Sequence, residues 1–203
     1  MSKKNICIVD YSVGNHASVL NSFRELNCRV MVSNDPAVMD AADILILPGV
    51  GAFPSAMKAL HDLDLVSYLK EEAGKQRPII GICLGMQLLT DASHEKQYTK
   101  GLGLIPGEIV PMLDPEWHIG WNTIECVQSD RLLQPSDGRL FYFNHSFVYD
   151  GPSEYQVCVS KHHNAFPSVI RSGSVLGIQF HPEKSQEAGN KLLTNLILGL
   201  GNA

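Results

Sequence analysis

Three short segments, far apart in the chain, carry residue types suited to one reaction: Gly81-Ile82-Cys83-Leu84-Gly85, His181-Pro182-Glu183 and Pro48-Gly49-Val50-Gly51. Cysteine between flanking glycines has the pattern of a nucleophile elbow, with sulfur in place of a serine hydroxyl. A histidine two residues before a glutamate offers a base and the carboxylate that orients it. A glycine turn after an apolar run can aim backbone N–H groups at a substrate. The set suits acyl transfer from an amide. The candidate catalytic residues are Cys83, His181 and Glu183. The candidate oxyanion donors are the N–H groups of Val50 and Leu84, with Gly51 as a substrate contact.

These residues need elements to position them. Pro78–Cys83 reads as a buried strand that turns sharply into a helix beginning at Gly85. The turn lifts the Cys83 sulfur above the sheet, where the positive end of the helix dipole favours a thiolate. Val175–Phe180 reads as a strand running into His181, and Pro182 forces extended geometry on the residue before it. Ligands of parallel sheets bind beyond the carboxyl ends of strands, and both Cys83 and His181 fall there. The plainer alternatives are a small buried cysteine and a His-Pro turn with a solvated glutamate. Gly49-x-Gly51 also invites a dinucleotide reading, but Pro54 occupies the third glycine position of that fingerprint.

The rest of the first half alternates. Asn5–Asp10, Arg29–Val32 and Asp43–Leu47 read as strands; Asn15–Leu26 and Leu60–Ala73 read as helices. Repeated β–α units give a doubly wound sheet. After Leu102 the texture changes to short runs separated by turn residues: Trp121–Val127, Leu140–Phe143, Tyr155–Ser160 and Ser168–Arg171. Gly189–Leu198 reads as a closing helix. The expectation is one α/β domain over residues 1–203, a doubly wound mixed sheet flanked by helices.

Composition narrows the function classes. The 203 residues carry a net charge of −5, which leaves no basic stripe for nucleic acid. No apolar run reaches the length of a membrane span. Five cysteines without a CxxC pair suit a reducing compartment, so the expected location is the cytoplasm. No zinc-type Cys/His spacing occurs, and neither a metal nor a cofactor is expected.

The motifs resemble those of the class I (triad-type) glutamine amidotransferases, most closely the glutaminase subunits of imidazole glycerol phosphate synthases. The resemblance runs nearly end to end, from Ile8-Val9-Asp10-Tyr11 and Gly14-Asn15 to the last helix. It is carried by the three segments above, by Met86-Gln87, His118-Ile119-Gly120-Trp121-Asn122 and His145-Ser146, and by the extension of the histidine motif through Lys184-Ser185. It implies a Cys83–His181–Glu183 triad, a glutamine pocket that includes Gly51, Gln87, His145 and Ser146, and L-glutamine as substrate. It also implies a heterodimer with a (β/α)8-barrel synthase that receives ammonia. His118, Trp121 and Asn122, in a segment that also holds Trp117, are the expected partner contacts. Two departures stand out: Asp114-Pro115-Glu116-Trp117 precedes His118, and Phe147 stands where the family has tyrosine. Rival readings are a glutaminase feeding a sugar-amidinating synthase and a non-catalytic regulatory module.

Overall fold

The computed structural model describes residues 3–12, 16–113 and 115–200. Gly14-Asn15 of the resemblance, with the first residue of the helix read over Asn15–Leu26, and Asp114 lie outside them. The first half follows the expected alternation: β1 (Asn5–Val9), α1 (His16–Glu25), β2 (Arg29–Ser33), α2 (Pro36–Met39) and β3 (Ile44–Leu47). Then come α3 (Phe53–Asp62), α4 (Leu65–Gly74), β4 (Ile79–Ile82) and the short α5 (Leu84–Leu88). The second half is richer in strands: β5 (Ala92–Ser93), β6 (Thr99–Lys100), β7 (Glu108–Pro111), β8 (His118–Thr123), β9 (Glu125–Cys126), β10 (Leu140–His145) and β11 (Phe147–Asp150). It closes with β12 (Gln156–His162), β13 (Asn164–Ser172), β14 (Val175–Ile178) and α6 (Gln186–Leu200).

The main sheet has the order β2-β1-β3-β4-β14-β13-β12-β9. It is parallel from β2 to β14 and antiparallel beyond. The central strands β3 (ILIL) and β4 (IIGI) are buried at every residue, as strands covered on both faces must be. Period-2 alternation splits the core between those faces. Ile6, Ile8, Ile44, Ile46, Ile80 and Ile82 pack with Phe23 of α1 and Leu192, Leu193 and Leu196 of α6. Cys7, Val9, Leu45, Leu47 and Ile79 pack with Met57 and Leu60 of α3 and Leu69 of α4. A four-stranded sheet (β11-β7-β5-β6) and a two-stranded ribbon (β10-β8) complete the structure.

The expected mixed, doubly wound sheet is present, with boundary corrections. The helix read over Leu60–Ala73 is two helices, because Asp64 adopts a left-handed φ of 56° that ends one and starts the next. Aspartate tolerates that conformation better than most residues. The strand read over Trp121–Val127 begins at His118 and ends at Thr123, and Glu125–Cys126 crosses to the main sheet. Ser168–Arg171 extends to Asn164–Ser172, with Pro167 tolerated inside it. No helix among the described residues is long and apolar enough to cross a membrane.

Candidate active site

Register brings the three motifs together. In the adjacent parallel strands β3, β4 and β14, Leu47 lies opposite Gly81 and Ile178 opposite Ile82. The segments that leave them, Pro48–Gly51, Cys83 and Gln179–His181, therefore emerge along one edge of the sheet.

Cys83 has φ 53° and ψ −111°, a conformation few L-residues adopt. Its N–H is anchored to the Ile178 carbonyl at 2.7 Å. The flanking glycines are required by space: a Cβ on Gly85 would lie 1.7 Å from the Leu47 carbonyl oxygen, and one on Gly81 2.5 Å from the Gly85 oxygen. Leu84 opens α5, whose first internal bond runs from the Gln87 N–H to the Cys83 carbonyl at 3.2 Å. The Leu84 N–H therefore precedes the intrahelical ladder and is free to serve an oxyanion.

His181 is held from several sides. Its N–H donates to the Tyr142 carbonyl at 2.8 Å. The Ser185 hydroxyl donates to the His181 carbonyl at 2.6 Å and accepts the Tyr142 N–H at 3.0 Å. The imidazole Nδ1 lies 2.8 Å from Glu183 Oε1, with both side chains 3% exposed. Burial pulls the His181 pKa down, but hydrogen bonding to Cys83 and Glu183 outweighs it and raises the value to about 10. A base so placed holds its proton until a leaving group can take it.

Cys83 and His181 line a cavity of about 290 Å³ together with Val50, Gly51, Leu84, Gln87, Glu95 and the segment from Asn144 to Phe147. That is near the small end of ligand sites, with polar groups converging on it. Gln87 Nε2 donates to the Phe147 carbonyl at 3.5 Å and to Gln179 Oε1 at 3.4 Å. His145 Nδ1 lies 3.0 Å from the Phe147 carbonyl, and its Nε2 lies 3.3 Å from His118 Nδ1. Burial, aided by neighbouring histidines, lowers the His145 pKa to about 3, so its ring is neutral and its tautomer is set by the carbonyl.

A nucleophile, an imidazole–carboxylate pair and a backbone turn facing one small cavity describe amide hydrolysis without naming a family. The family model for class-I glutamine amidotransferases matches residues 7–199. The chain belongs to the class I glutamine amidotransferases. This glutamine amidotransferase is 41% identical over 192 residues to the imidazole glycerol phosphate synthase subunit HisH of Listeria monocytogenes EGD-e, covering 93% of this chain and 92% of the relative. It is 42% identical over 190 residues to the HisH subunit of Streptococcus sanguinis SK36, covering 92% of each. A solved glutamine amidotransferase from Thermotoga maritima shares the fold, with a TM-score of 0.74 and 16% identity over the full length of both chains.

Within the amidotransferase, all the expected pocket residues, Gly51, Gln87, His145 and Ser146, line the cavity beside Val50 and Leu84. The expected partner face needs correction. His118 is 2% exposed, stacked between Phe143 and His162 with ring centroids 4.7 and 4.2 Å away. Along β8 the side chains alternate, so His118 and the half-buried Asn122 share the inner face, where His118 meets the pocket residue His145 and Asn122 bonds the Lys161 carbonyl at 2.9 Å. Trp121, on the opposite face, is 48% exposed. Several residues at or behind the pocket have no role in the sequence reading, although Tyr11 stands in one of its motifs. Glu95 and Asn144 line the cavity, Gln179 Nε2 reaches Cys83 Sγ at 4.0 Å, and Tyr11 donates to the Pro48 carbonyl. The one signal for Ser185 is its place at the end of the extended histidine motif.

Proposed function

We propose that this chain is the glutaminase subunit of an imidazole glycerol phosphate synthase in histidine biosynthesis. It hydrolyses L-glutamine and delivers the ammonia to a (β/α)8-barrel synthase subunit, its partner in a heterodimer. The observation that carries the reading is the convergence of Cys83, the His181–Glu183 pair and the Pro48–Gly51 turn on one small cavity. The identity of the relatives as HisH subunits supplies the pathway.

In this mechanism the Cys83 thiolate attacks the side-chain amide carbon of glutamine. The Val50 and Leu84 N–H groups hold the oxyanion. His181 gives its Nε2 proton to the departing nitrogen, the C–N bond breaks, and ammonia leaves a γ-glutamyl thioester. His181 then takes a proton from water, whose oxygen attacks the thioester, and glutamate and the free thiol result. Glu183 fixes the Nδ1–H tautomer throughout. Gly51, Gln87, His145 and Ser146 hold the substrate, and Glu95 faces its α-ammonium group. Ammonia released into neutral water is protonated and lost as a nucleophile, so a closed route into a docked partner suits the chemistry.

The ribbon face bearing Trp121, Ile119 and Leu140 is the docking face in this reading, with exposures of 48%, 62% and 53%. It adjoins the triad through Tyr142, whose ring lies 6.0 Å from Trp121 and 6.5 Å from His181. One glutaminase domain working in the cytoplasm fits five free cysteines. The test is glutamine turnover by the purified chain with and without the barrel subunit and its acceptor. Turnover that rises on adding the liganded partner, with glutamine nitrogen recovered in the barrel's product, is expected. No turnover under either condition overturns the reading.

A further inference from the structure

We propose that Tyr11 is a positioning residue for the oxyanion turn: its hydroxyl ties down the Pro48 carbonyl and thereby sets the direction of the Val50 N–H. The proposal rests on the assignment of Cys83 as nucleophile and of Val50 as oxyanion donor.

Strand register brings the two groups together. β1 lies beside β3 with Ile8 opposite Ile46, so the chain just past β1 meets the chain just past β3. Tyr11 is fully buried there, and its hydroxyl donates to the Pro48 carbonyl. The backbone turns immediately afterwards. β1 has ended at Val9, and Ser12, with φ 61°, donates its N–H to Asp10 Oδ1 at 3.0 Å. Burial, followed by the charge of a nearby Cys83 thiolate, pushes the phenol far above its ordinary range, so it remains a donor.

The turn itself is tightly fitted against both groups. A Cβ on Gly49 would lie 2.8 Å from the Tyr11 hydroxyl oxygen, 2.7 Å from the Leu84 Cβ and 2.9 Å from the Gly85 nitrogen. Tyr11, the turn and the cysteine elbow therefore share one contact. The far end of the turn is also held. Ala52 opens α3 without a side-chain cap, and the Phe53 N–H there donates to Glu95 Oε2 at 2.7 Å. Between these ties lie Gly49, Val50, Gly51 and Ala52, with Gly51 at φ 114°. The Pro48 carbonyl and the Val50 N–H are separated by the two dihedrals of Gly49, so an anchor on the first restricts the second. An oxyanion donor acts only when it meets the developing charge at about 2.7–3.1 Å. A shift of about 1 Å at such a site costs up to about 100-fold in rate.

Tyr11→Phe keeps the ring and removes the tie. In the complex with the barrel partner we expect kcat for glutamine to fall about tenfold while KM stays within about twofold, the pattern of an interaction expressed in the transition state. Two probes separate this from general damage. Glutamate γ-semialdehyde is attacked by the Cys83 thiolate: an S–C bond forms, the carbonyl π pair moves to oxygen, and His181 keeps its proton. Its oxygen then occupies the oxyanion position, so its affinity should fall about tenfold in Tyr11→Phe. Alkylation of Cys83 by iodoacetamide displaces iodide and forms no oxyanion, so its rate should match wild type. Wild-type kcat and semialdehyde affinity in Tyr11→Phe overturn the proposal. So does an equal loss of turnover, semialdehyde binding and alkylation rate, which marks Tyr11 as structural only. A wild-type complex that neither turns over glutamine nor binds the semialdehyde overturns the catalytic reading, and this proposal with it.

Discussion

The carboxyl ends of β3, β4 and β14 and the outer face of the β8–β10 ribbon lie side by side, joined by Tyr142, yet they are built in opposite ways. At the strand ends the cysteine elbow and the histidine are crowded. Gly81 and Gly85 have no room for a Cβ, and His181 is tied at its N–H, its carbonyl and its ring. On the ribbon, Ile119 is mostly exposed and Trp121 about half exposed. The contacts that hold the first region come from this one chain, which suits the sub-ångström placement that the proposed chemistry needs. The second leaves apolar side chains partly exposed among the described residues, the kind of surface that the proposed docking would cover.

Substitutions can break this contrast, and the largest effects belong to the crowded region. His181→Asn should lower partner-stimulated glutamine turnover by roughly 10³-fold or more, because both proton transfers are lost. Steady-state assay of the complex checks this, and a loss under tenfold would show that His181 is not the acid and base. Next comes Gly85→Ala, whose Cβ would fall 1.7 Å from a backbone oxygen. It should destabilise the fold by about 3 kcal/mol or more, since backbone cannot yield as a side chain tip does. Chemical denaturation measures it, and a neutral result would mean the elbow is looser than described.

The ribbon should behave in reverse. Trp121→Ala is expected to weaken partner binding by roughly 2 kcal/mol, about thirtyfold in Kd, while the melting temperature of the lone chain hardly moves. Titration with the barrel and thermal unfolding provide the two readings. A large drop in melting temperature with unchanged Kd would make Trp121 a core residue.

The smallest expected effect lies on the inward side of the same ribbon. Burial lowers the His118 pKa to about 4 and the His145 pKa to about 3, so both are neutral in the fold and take up protons first in the unfolded chain. Between the ordinary histidine value of about 6.5 and these values the unfolded state binds more protons. Stability therefore falls as pH drops through that window. His118→Phe should flatten the fall, measured as melting temperature against pH. His181 has the opposite sign: its contribution is present below about 6.5 and is lost as pH rises through about 10.

The same contrast explains what could be read from the sequence. The elbow was legible because steric demand admits one residue type at Gly81 and Gly85, and the direction of His181 because Pro182 restricts its predecessor. The β–α alternation was legible because β3 and β4 are apolar on both faces. What stayed hidden depends on contacts between distant segments. Glu95 caps α3 from beyond α5, and Tyr11 reaches Pro48 from the end of the neighbouring strand, so only the folded chain brings either pair together. The inward turn of His118 hid for a related reason. Its stacking partners Phe143 and His162 arrive from β10 and β12, so the aromatic cluster around Trp121 read as a single surface.

The central claim, that Cys83 makes ammonia for a partner that needs nothing else from glutamine, is tested most directly by Cys83→Ala in the complex. Product formation by the barrel subunit should be measured with glutamine and, separately, with ammonia as nitrogen source. Glutamine-dependent synthesis should disappear while ammonia-dependent synthesis stays at the wild-type rate. Glutamine-dependent synthesis surviving at the wild-type level would contradict the account.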